Sequence, residues 1–414
     1  MTSLVYGGSY LEKCISPPHD SISGSGLRAA EVVSILSPKI QHVLATTRYS
    51  STEKVLEGLL ARLGNITLHP QCPTSGANDP PLFGYLNPLA YPEFHFKQPP
   101  EEDEEYELES DAALIFGTIE SAPRIKARIA VFDPQSPKKP SHFWDNGSIA
   151  ERCALVLNHK EATRLSGEKS IFTAVKFLQQ KILKSSETTY EVIVVKMAHA
   201  GCWVCTGDSI EAVPAFRTTR VFSIGSGDVF SAAFYVKWAL EGESAANAAY
   251  FASHFTARFC ESGVLAIEGA DSRPLEALPL VIPDAPVHKK KIYLAGPFFS
   301  QGEIYLIDQI RGLLQTPWSE VFSPFHDVGV GPPEIVYDAD IAGLEESDIV
   351  FAVITGTDPG TIFEIGYAIK ANKKVFCLAE SVPIAHLTMI IGSGAVIDSD
   401  ITSAIYKVLW ATLE

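Results

Sequence analysis

The sequence predicts an α/β protein made of two domains in series, each built on a largely parallel sheet. Three observations carry the prediction. Short β-rich runs alternate with stretches whose apolar residues recur at helical spacing, the pattern of layered strands and helices. The alternation stops at PLVIPDAPVHKKK (279–291), where prolines and then three lysines read as a linker. It restarts at once with KIYLAGPF (291–298), a new strand running into a turn. The expected domains are therefore 1–278 and 291–414, joined by a linker at 279–290.

In chain order, LVYGG (4–8), ALIFG (113–117), IAVFD (129–133), CALVLN (153–158) and EVIVVK (191–196) read as strands. SIFTAVKFLQQKIL (170–183) and DVFSAAFYVKWAL (228–240) read as helices. Between about 64 and 100 the pattern gives way to proline, aromatic and turn residues, which suit a small β excursion or lid. EEDEEYELES (101–110) reads as a solvated acidic segment. The second domain has its own strands in IYLAG (292–296), DIVFAVI (348–354) and KVFCLA (374–379), and its length of about 125 residues suffices for an independent core.

The 414 residues carry 33 Lys+Arg against 49 Asp+Glu, a net charge of −16. That balance, without a basic block, argues against a nucleic-acid polymer or an anionic membrane as partner. Small phosphorylated ligands remain open, because a local nest of backbone N–H groups is enough to hold them. No apolar stretch reaches the length of about 18 residues of a membrane span, and the N-terminus has no secretory pattern. Of the seven cysteines only Cys202 and Cys205 form a C-x-x-C, with no second pair to complete a zinc site. Plain reduced thiols and a cytoplasmic location are expected.

VFSIGSGDVFSAAF places Gly225, Ser226, Gly227 and Asp228 where a loop enters a helix. The free N–H groups of a first helical turn attract anions, and a carboxylate at the same point can accept a proton from an alcohol. Together they suit phosphoryl transfer to a hydroxyl. On these four residues alone, the plainer account is an acidic residue near a helix dipole.

The surroundings add weight. The GSGD turn resembles the second signature of the PfkB, or ribokinase-like, carbohydrate and nucleoside kinases, whose usual form is GAGD. The resemblance extends over roughly residues 3–275. GSYLEKC (8–14) resembles the family's first strand and GSGLRAA (24–30) its glycine-rich substrate turn, with Gly24, Gly26 and Arg28. DPQSP follows a strand at 133–137. LVLNHKEATRLSG carries Asn158 and Glu161 in the family's N-x-x-E, linked there to magnesium and phosphate, and VIVVKMAHAGCWV resembles its K-x-G-x-x-G segment. The resemblance implies a three-layer α/β/α fold with a small β lid, Asp228 as general base, Gly225, Ser226 and Gly227 as the anion hole, and ATP with Mg2+ as donor. Three positions depart from the family: Arg28 stands near the place of a usual Asn, Glu12 replaces Asp, and Ala198 replaces Gly. An Arg near the acceptor favours a carboxylate, phosphate or carbonyl group.

In the second domain, Glu364 lies near the start of a helix after a glycine-containing turn, with Asp358 six residues before it and Asp340 further upstream. Carboxylates converging at the carboxyl edge of a parallel sheet sit where such folds bind ligands, and their repulsion asks for a function. Glycosidic-bond cleavage is one, because a carboxylate can trap or stabilise an oxocarbenium-like centre. Helix capping is the plainer alternative.

IYLAGPF, Asp340 and TDPGTIFEIGYA (357–368) together resemble the nucleoside 2-deoxyribosyltransferases over 290–410. That resemblance implies a flavodoxin/Rossmann-like doubly wound parallel sheet. It casts Glu364 as the nucleophile toward C1′, with Tyr293 orienting it. Asp358 and Asp340 hold base and sugar hydroxyls, Gly360 shapes the turn, and Gly296, Pro297 and Phe298 form the pocket floor. IAHLTMIIGSG (384–394), with Met389, resembles the segment which that family donates to a neighbouring subunit, so a dimer or higher homo-oligomer is implied. Leu387 stands where the family has Asn two residues before Met; Thr388 or Ser393 could serve a phosphate there.

The fusion suggests a bifunctional enzyme: ATP-dependent phosphorylation of a nucleoside or sugar hydroxyl, and cleavage or transfer at the N-glycosidic bond of a nucleoside or nucleoside 5′-phosphate. Two other readings are a nucleotide- or NAD-depleting effector with the kinase fold as sensor, and a non-catalytic nucleotide-binding regulator.

Overall fold

The computed structural model describes residues 2–75, 77–95, 106–120, 122–135, 140–183, 190–265, 273–283 and 288–414. The first half of the acidic run (101–105), the end of DPQSP (136–137) and linker positions 284–287 lie outside the described residues. The chain divides into two compact units, Met1–Asp284 and Ala285–Glu414.

The first unit is organised by a nine-stranded sheet. Its order from one edge is Ser209–Val213, Cys202–Thr206, Tyr190–Lys196, Ile149–Asn158, Arg124–Asp133, Glu107–Phe116, Ser3–Tyr6, His42–Ala45 and Ile66–Leu68. The seven strands from Tyr190–Lys196 onward pair in parallel, and the two at the other edge are antiparallel. Strands Glu107–Phe116 and Arg124–Asp133 are exposed and buried alternately in their first halves and wholly buried in their last five residues. Such a strand leaves a covered interior only toward its carboxyl end. That periodicity also adds to the reading of the acidic run: its exposed residues Glu107 and Glu109 are the outward residues of a strand, and Glu109 pairs with Lys126 on the neighbouring strand at 3.6 Å.

A separate four-stranded sheet, ordered His19–Ser23, Tyr10–Cys14, Leu82–Tyr85 and Glu93–His95, supplies the lid. The lid was expected from 64–100 alone, but half of it comes from residues 10–23. The first core strand is Ser3–Tyr6; GSYLEKC, expected as that strand, instead contributes the lid strand Tyr10–Cys14. Its alternating residues Leu11 and Lys13 have less apolar density than the fully buried SLVY, so the preceding segment takes the core position.

The second unit has five strands, all parallel, in the order Ser319–Phe322, Lys290–Ala295, Ile349–Val353, Lys374–Leu378 and Val396–Asp398. Numbered within the unit this is 2-1-3-4-5, a doubly wound sheet whose direction of winding reverses between its first and third strands. The ligand crevice of such a sheet opens at the carboxyl ends of those two strands. Tyr293 lies on the first, and the loop after the third leads to Glu364. Asp340 lies inside the helix Pro333–Glu346. Pro332 and Pro333 start that helix early, because proline is tolerated at the first turn.

Among the described residues no helix is long and apolar enough to cross a membrane. All seven cysteines are free. Cys202 and Cys205 are buried in one strand, and burial pushes the Cys205 thiol up to about 12, which suits inert structural thiols.

Candidate functional site

The GSGD turn opens the helix Ser226–Tyr235, with Gly225 as its N-cap at φ +76° and Asp228 in the first turn. Asp228 is buried, and both of its oxygens are held. Arg28 Nη1 donates to Oδ2 at 2.5 Å and Gln135 Nε2 donates to Oδ1 at 2.5 Å. Arg28 Nη2 donates to Glu12 Oε2, also at 2.5 Å. One buried guanidinium thus bridges two buried carboxylates. Burial opposes its charge, but Glu12 and Asp228 hold its pKa above the ordinary value. The guanidinium lies flush against the turn: a Cβ at residue 225 would come 2.1 Å from Arg28 Cζ, so only glycine fits there.

Glu12, Gln135, Gly225 and Asp228 face a cavity of about 450 Å3. Its lining includes Glu12, Gln135, Asn158, Lys160, Glu161, Arg164, Gly225, Gly227 and Asp228, together with five aromatic side chains, Tyr10, Phe83, Tyr85, Tyr91 and Phe94. The rings of Tyr10 and Phe83 lie 4.9 Å apart and those of Phe83 and Phe94 5.3 Å apart, so the lid presents a continuous aromatic wall. Burial, then Glu12 and Asp228, push the Tyr85 hydroxyl above its usual range and keep it a hydrogen-bond donor. Of the residues expected at the substrate, Arg28 is not in this lining and meets it only through Glu12 and Asp228, and Gly24 and Gly26 are not in it either. They pack the helix Ser25–Leu36 against the turn before it, and a Cβ on Gly26 would lie 2.5 Å from Gly7 O.

Asn158 and Glu161 line the same cavity as a reciprocal cap of the helix His159–Ser166. Asn158 Oδ1 accepts from the N–H groups of Lys160 and Glu161 at 2.9 and 3.0 Å, and Glu161 Oε2 accepts from Asn158 N–H at 2.8 Å. That arrangement stabilises the helix without any ligand. Burial, then repulsion from Asp133, raises the Glu161 carboxyl to about 7. With Asn158 Oδ1 and Glu161 Oε2 engaged in the cap, Glu161 Oε1 is the oxygen of the pair left to meet a magnesium ion, directly or through water. Among the described residues no group of three His, Cys, Asp or Glu side chains gathers for direct ligation. Lys160 and Arg164 on the cavity wall are cations suited to donor phosphates.

The sequence reading missed Lys196, Asp133 and Ser231. Lys196 Nζ sits 2.6 Å from Asp133 Oδ2 and 3.2 Å from Ser231 Oγ, which itself donates to Asp133 at 2.6 Å. Burial pulls the ammonium's pKa down, but Asp133 and Glu161 hold it above the ordinary value. A Cβ on Gly227 would come 3.5 Å from that ammonium, so the charge lies beside the anion-hole turn. The signal available was the K-x-A-x-x-G segment, in which only the glycine positions drew notice.

Ala198 adopts φ +50°, the left-handed conformation that glycine takes without strain. Its side chain is exposed, so shortening it removes no packing. Ala198→Gly is expected to stabilise the first unit by about 0.5–1 kcal/mol, read as a higher urea midpoint at unchanged slope.

In the second unit the phenol of Tyr293 donates to Glu364 Oε1 at 2.5 Å. Tyr293 is fully buried and stacks on Phe322 with ring centroids 5.6 Å apart. Burial raises the Glu364 carboxyl to about 7; the Tyr293 hydrogen bond pulls it down, while Asp340 and Asp358 push it up. Asp340 Oδ1 is buried without a hydrogen-bond partner, and burial raises that carboxyl also. Such an orphan acceptor fits a ligand hydroxyl.

Asp358 caps the helix Pro359–Lys370: its Oδ2 accepts from Thr361 N–H at 2.7 Å and Thr361 Oγ1 at 2.8 Å. The capping alternative therefore accounts for one of its oxygens. Gly360 sits in the first turn of that helix, against Asp358. Gly296 packs closely on Ile307, and Phe298 beyond Pro297 stacks on Phe325 at 5.2 Å.

The segment 384–394 behaves differently from the expectation of a phosphate contact. Thr388 Oγ1 donates to Ala385 O and Ser393 Oγ to Ile390 O, so both hydroxyl protons stay within the segment. Leu387 is a buried core residue of this unit, while Met389 is 84% exposed.

Comparison with known proteins decides what these two arrangements belong to. Residues 149–264 match the pfkB family carbohydrate kinase model, and residues 292–393 match the nucleoside 2-deoxyribosyltransferase model. The chain is a fusion of a PfkB kinase domain and a nucleoside 2-deoxyribosyltransferase-like domain. Among curated proteins, it is 32% identical over 101 residues to an uncharacterised protein of Ureaplasma parvum serovar 3, covering 21% of this chain and 64% of that protein. It is 37% identical over 54 residues to the 5-hydroxymethyl-dUMP N-hydrolase of Branchiostoma floridae, covering 13% of this chain and 51% of that protein. The chain thus spans between half and two thirds of the curated relatives it matches. Solved structures similar to the kinase domain include a pyrophosphate-dependent kinase in the ribokinase family (13% identity, TM-score 0.42, 62% of this chain and 94% of that one). Ribokinase from Thermotoga maritima (16%, 0.42, 64% and 94%) and fructokinase from Vibrio cholerae O395 (11%, 0.44, 63% and 93%) are two others. The GSGD turn and the cavity wall of Asn158, Lys160, Glu161 and Arg164 lie within the residues matched by the pfkB model, and Tyr293 and Glu364 within those matched by the nucleoside 2-deoxyribosyltransferase model.

Proposed function

We propose that the PfkB domain phosphorylates a sugar hydroxyl of a nucleoside, and that the second domain breaks the N-glycosidic bond of the resulting nucleoside 5′-phosphate. The observation that carries this reading is the half-buried Glu364 carboxylate, held by the Tyr293 phenol at the crevice of the doubly wound sheet. In the cleavage step Glu364 attacks C1′ of the sugar, the bonding electron pair leaves with the base, and the base takes up a proton. Water then opens the glycosyl ester and restores the carboxylate. Hydrolysis is favoured by the partial likeness to an enzyme named for N-hydrolysis of a nucleotide. Asp340 would take a sugar hydroxyl on its orphan oxygen.

For the first step the aromatic wall supports an acceptor bearing a base, because a flat ring gains most from stacking there. Asp228 is the proton acceptor for the hydroxyl, and the N–H groups of the Gly225–Gly227 turn, with Lys196 beside them, hold the transferring phosphoryl group. ATP would supply the phosphoryl group, and Mg2+ its charge neutralisation, near Asn158, Lys160, Glu161 and Arg164. A second copy of the chain completing the Glu364 crevice with the segment around the exposed Met389 belongs to the same reading.

Incubating the chain with a mixed pool of nucleosides, nucleoside 5′-monophosphates and NAD, with and without Mg-ATP, and identifying products by mass spectrometry tests this directly. Bases are expected to be released from monophosphates in either condition, and from nucleosides only with ATP. Equal release from nucleosides without ATP would sink the sequential scheme, and nicotinamide released from NAD in place of these products would favour a nucleotide-depleting activity.

Tyr293→Phe provides a finer check. The attacking carboxylate must be ionised, so base release should fall as pH drops through about 7. The phenol donates to the ionised form and thereby holds that limb down. Removing it is expected to move the limb to higher pH and lower the rate at pH 7 by about tenfold; an unmoved limb would show that Tyr293 does not set the ionisation of Glu364.

A further inference from the structure

We propose that Glu12 silences Arg28, so that the kinase pocket selects an acceptor uncharged at its reacting end and rejects one carrying a carboxylate or phosphate there. The inference rests on the reading of this pocket as a nucleoside phosphorylation site. A lone arginine beside an acceptor would recruit an anion. Here Nη1 is spent on Asp228 and Nη2 on Glu12, each at 2.5 Å. The side chains of Arg28, Glu12 and Asp228 are at most 10% exposed, so water does little to screen them.

One positive and two negative charges leave the cluster with a net negative charge at the place where the acceptor must approach Asp228. The guanidinium is also wedged against the Gly225 backbone, where a Cβ would lie 2.1 Å from Cζ, so it has no room to swing toward the turn. Tyr85, on the lid side, adds a neutral hydroxyl near the two carboxylates rather than a cation. The other cations of the cavity, Lys160 and Arg164, come from the helix capped by Asn158, on the wall assigned to the donor. A second anion at the acceptor end therefore meets repulsion with no spare positive charge to offset it.

The test uses pairs of analogues of adenosine, guanosine, cytidine and uridine in which the 5′-hydroxymethyl group is replaced by a carboxamide or by a carboxylate. The two differ little in shape and fully in charge. Dissociation constants are measured by calorimetry on the full chain at pH 7.5. The wild-type chain is expected to bind the carboxamide about 100-fold tighter than the carboxylate, the scale of one unscreened like charge at a few ångströms. Glu12→Gln removes one of the two negative charges that face Arg28 and should bring the ratio below about tenfold by improving carboxylate binding. Asp228→Asn removes the other negative charge and should act the same way, so a folding failure of one variant leaves the other to decide.

A wild-type ratio below about threefold overturns the inference, as does an unchanged ratio in either folded variant. Failure of every parent nucleoside to bind instead removes the reading of the pocket on which it rests.

Discussion

Replacing Glu364 by Gln is expected to lower the rate of base release by about 10^3-fold or more, measured by chromatography on nucleoside 5′-monophosphates. The amide keeps the shape of the side chain and can still meet the Tyr293 phenol, but it has no anionic oxygen with which to attack C1′. The same substitution should make the domain more stable. The native carboxyl sits at about 7 because burial disfavours its charge, whereas the unfolded group titrates near 4.3. Between those values the folded chain binds more protons than the unfolded one. Stability is therefore greatest below about pH 4 and is lost as pH rises through about 7. The neutral amide escapes that loss, and at pH 8 it is expected to stabilise the domain by about 1–3 kcal/mol. Inactivation accompanied by a higher melting temperature cannot be misfolding. Retention of more than a few per cent of the base-release rate in the Gln variant would remove Glu364 from the chemistry.

Asp228→Asn is expected to reduce phosphoryl transfer by about 10^2- to 10^4-fold while leaving nucleoside affinity within a few-fold. The Asn oxygen can still accept from Arg28, so the guanidinium stays in place, but it cannot take the proton of the acceptor hydroxyl. Base release from monophosphates should be untouched, because Glu364 belongs to the other compact unit. The decisive pattern is a variant that releases base from monophosphates at the wild-type rate and no longer releases it from nucleosides plus ATP. Retention of more than about a tenth of the transfer rate would show that another group accepts the proton.

Much of this was legible without coordinates where chemistry and local structure are written in adjacent residues. GSGD opens a helix, and a helix start with glycines must expose N–H groups. TDPGTIFEIGYA likewise fixes a turn, a cap and a carboxylate one and a half turns into a helix. The lid was only half visible, because its aromatic-rich strands at 82–95 stand out in composition while Tyr10–Cys14 reads as any short strand. Asn158 and Glu161 show the opposite difficulty. Their spacing is equally that of a ligand-holding motif and of a capping box, and the coordinates place them in the cap.

The sequence by itself determined two α/β units, the turn that presents Asp228, the helix that presents Glu364 and the strand that carries Tyr293. Each is set by patterning within about a dozen residues, the range over which periodicity, capping and turn chemistry act. The charge state of the kinase pocket was decided only by tertiary structure. Arg28 meets Asp228 across 200 positions of chain and Gln135 meets it across 93, so no local pattern could show that the arginine is already neutralised. Burial completes the difference: the same three side chains on a wet surface would be screened, whereas enclosed together they keep one negative charge in excess.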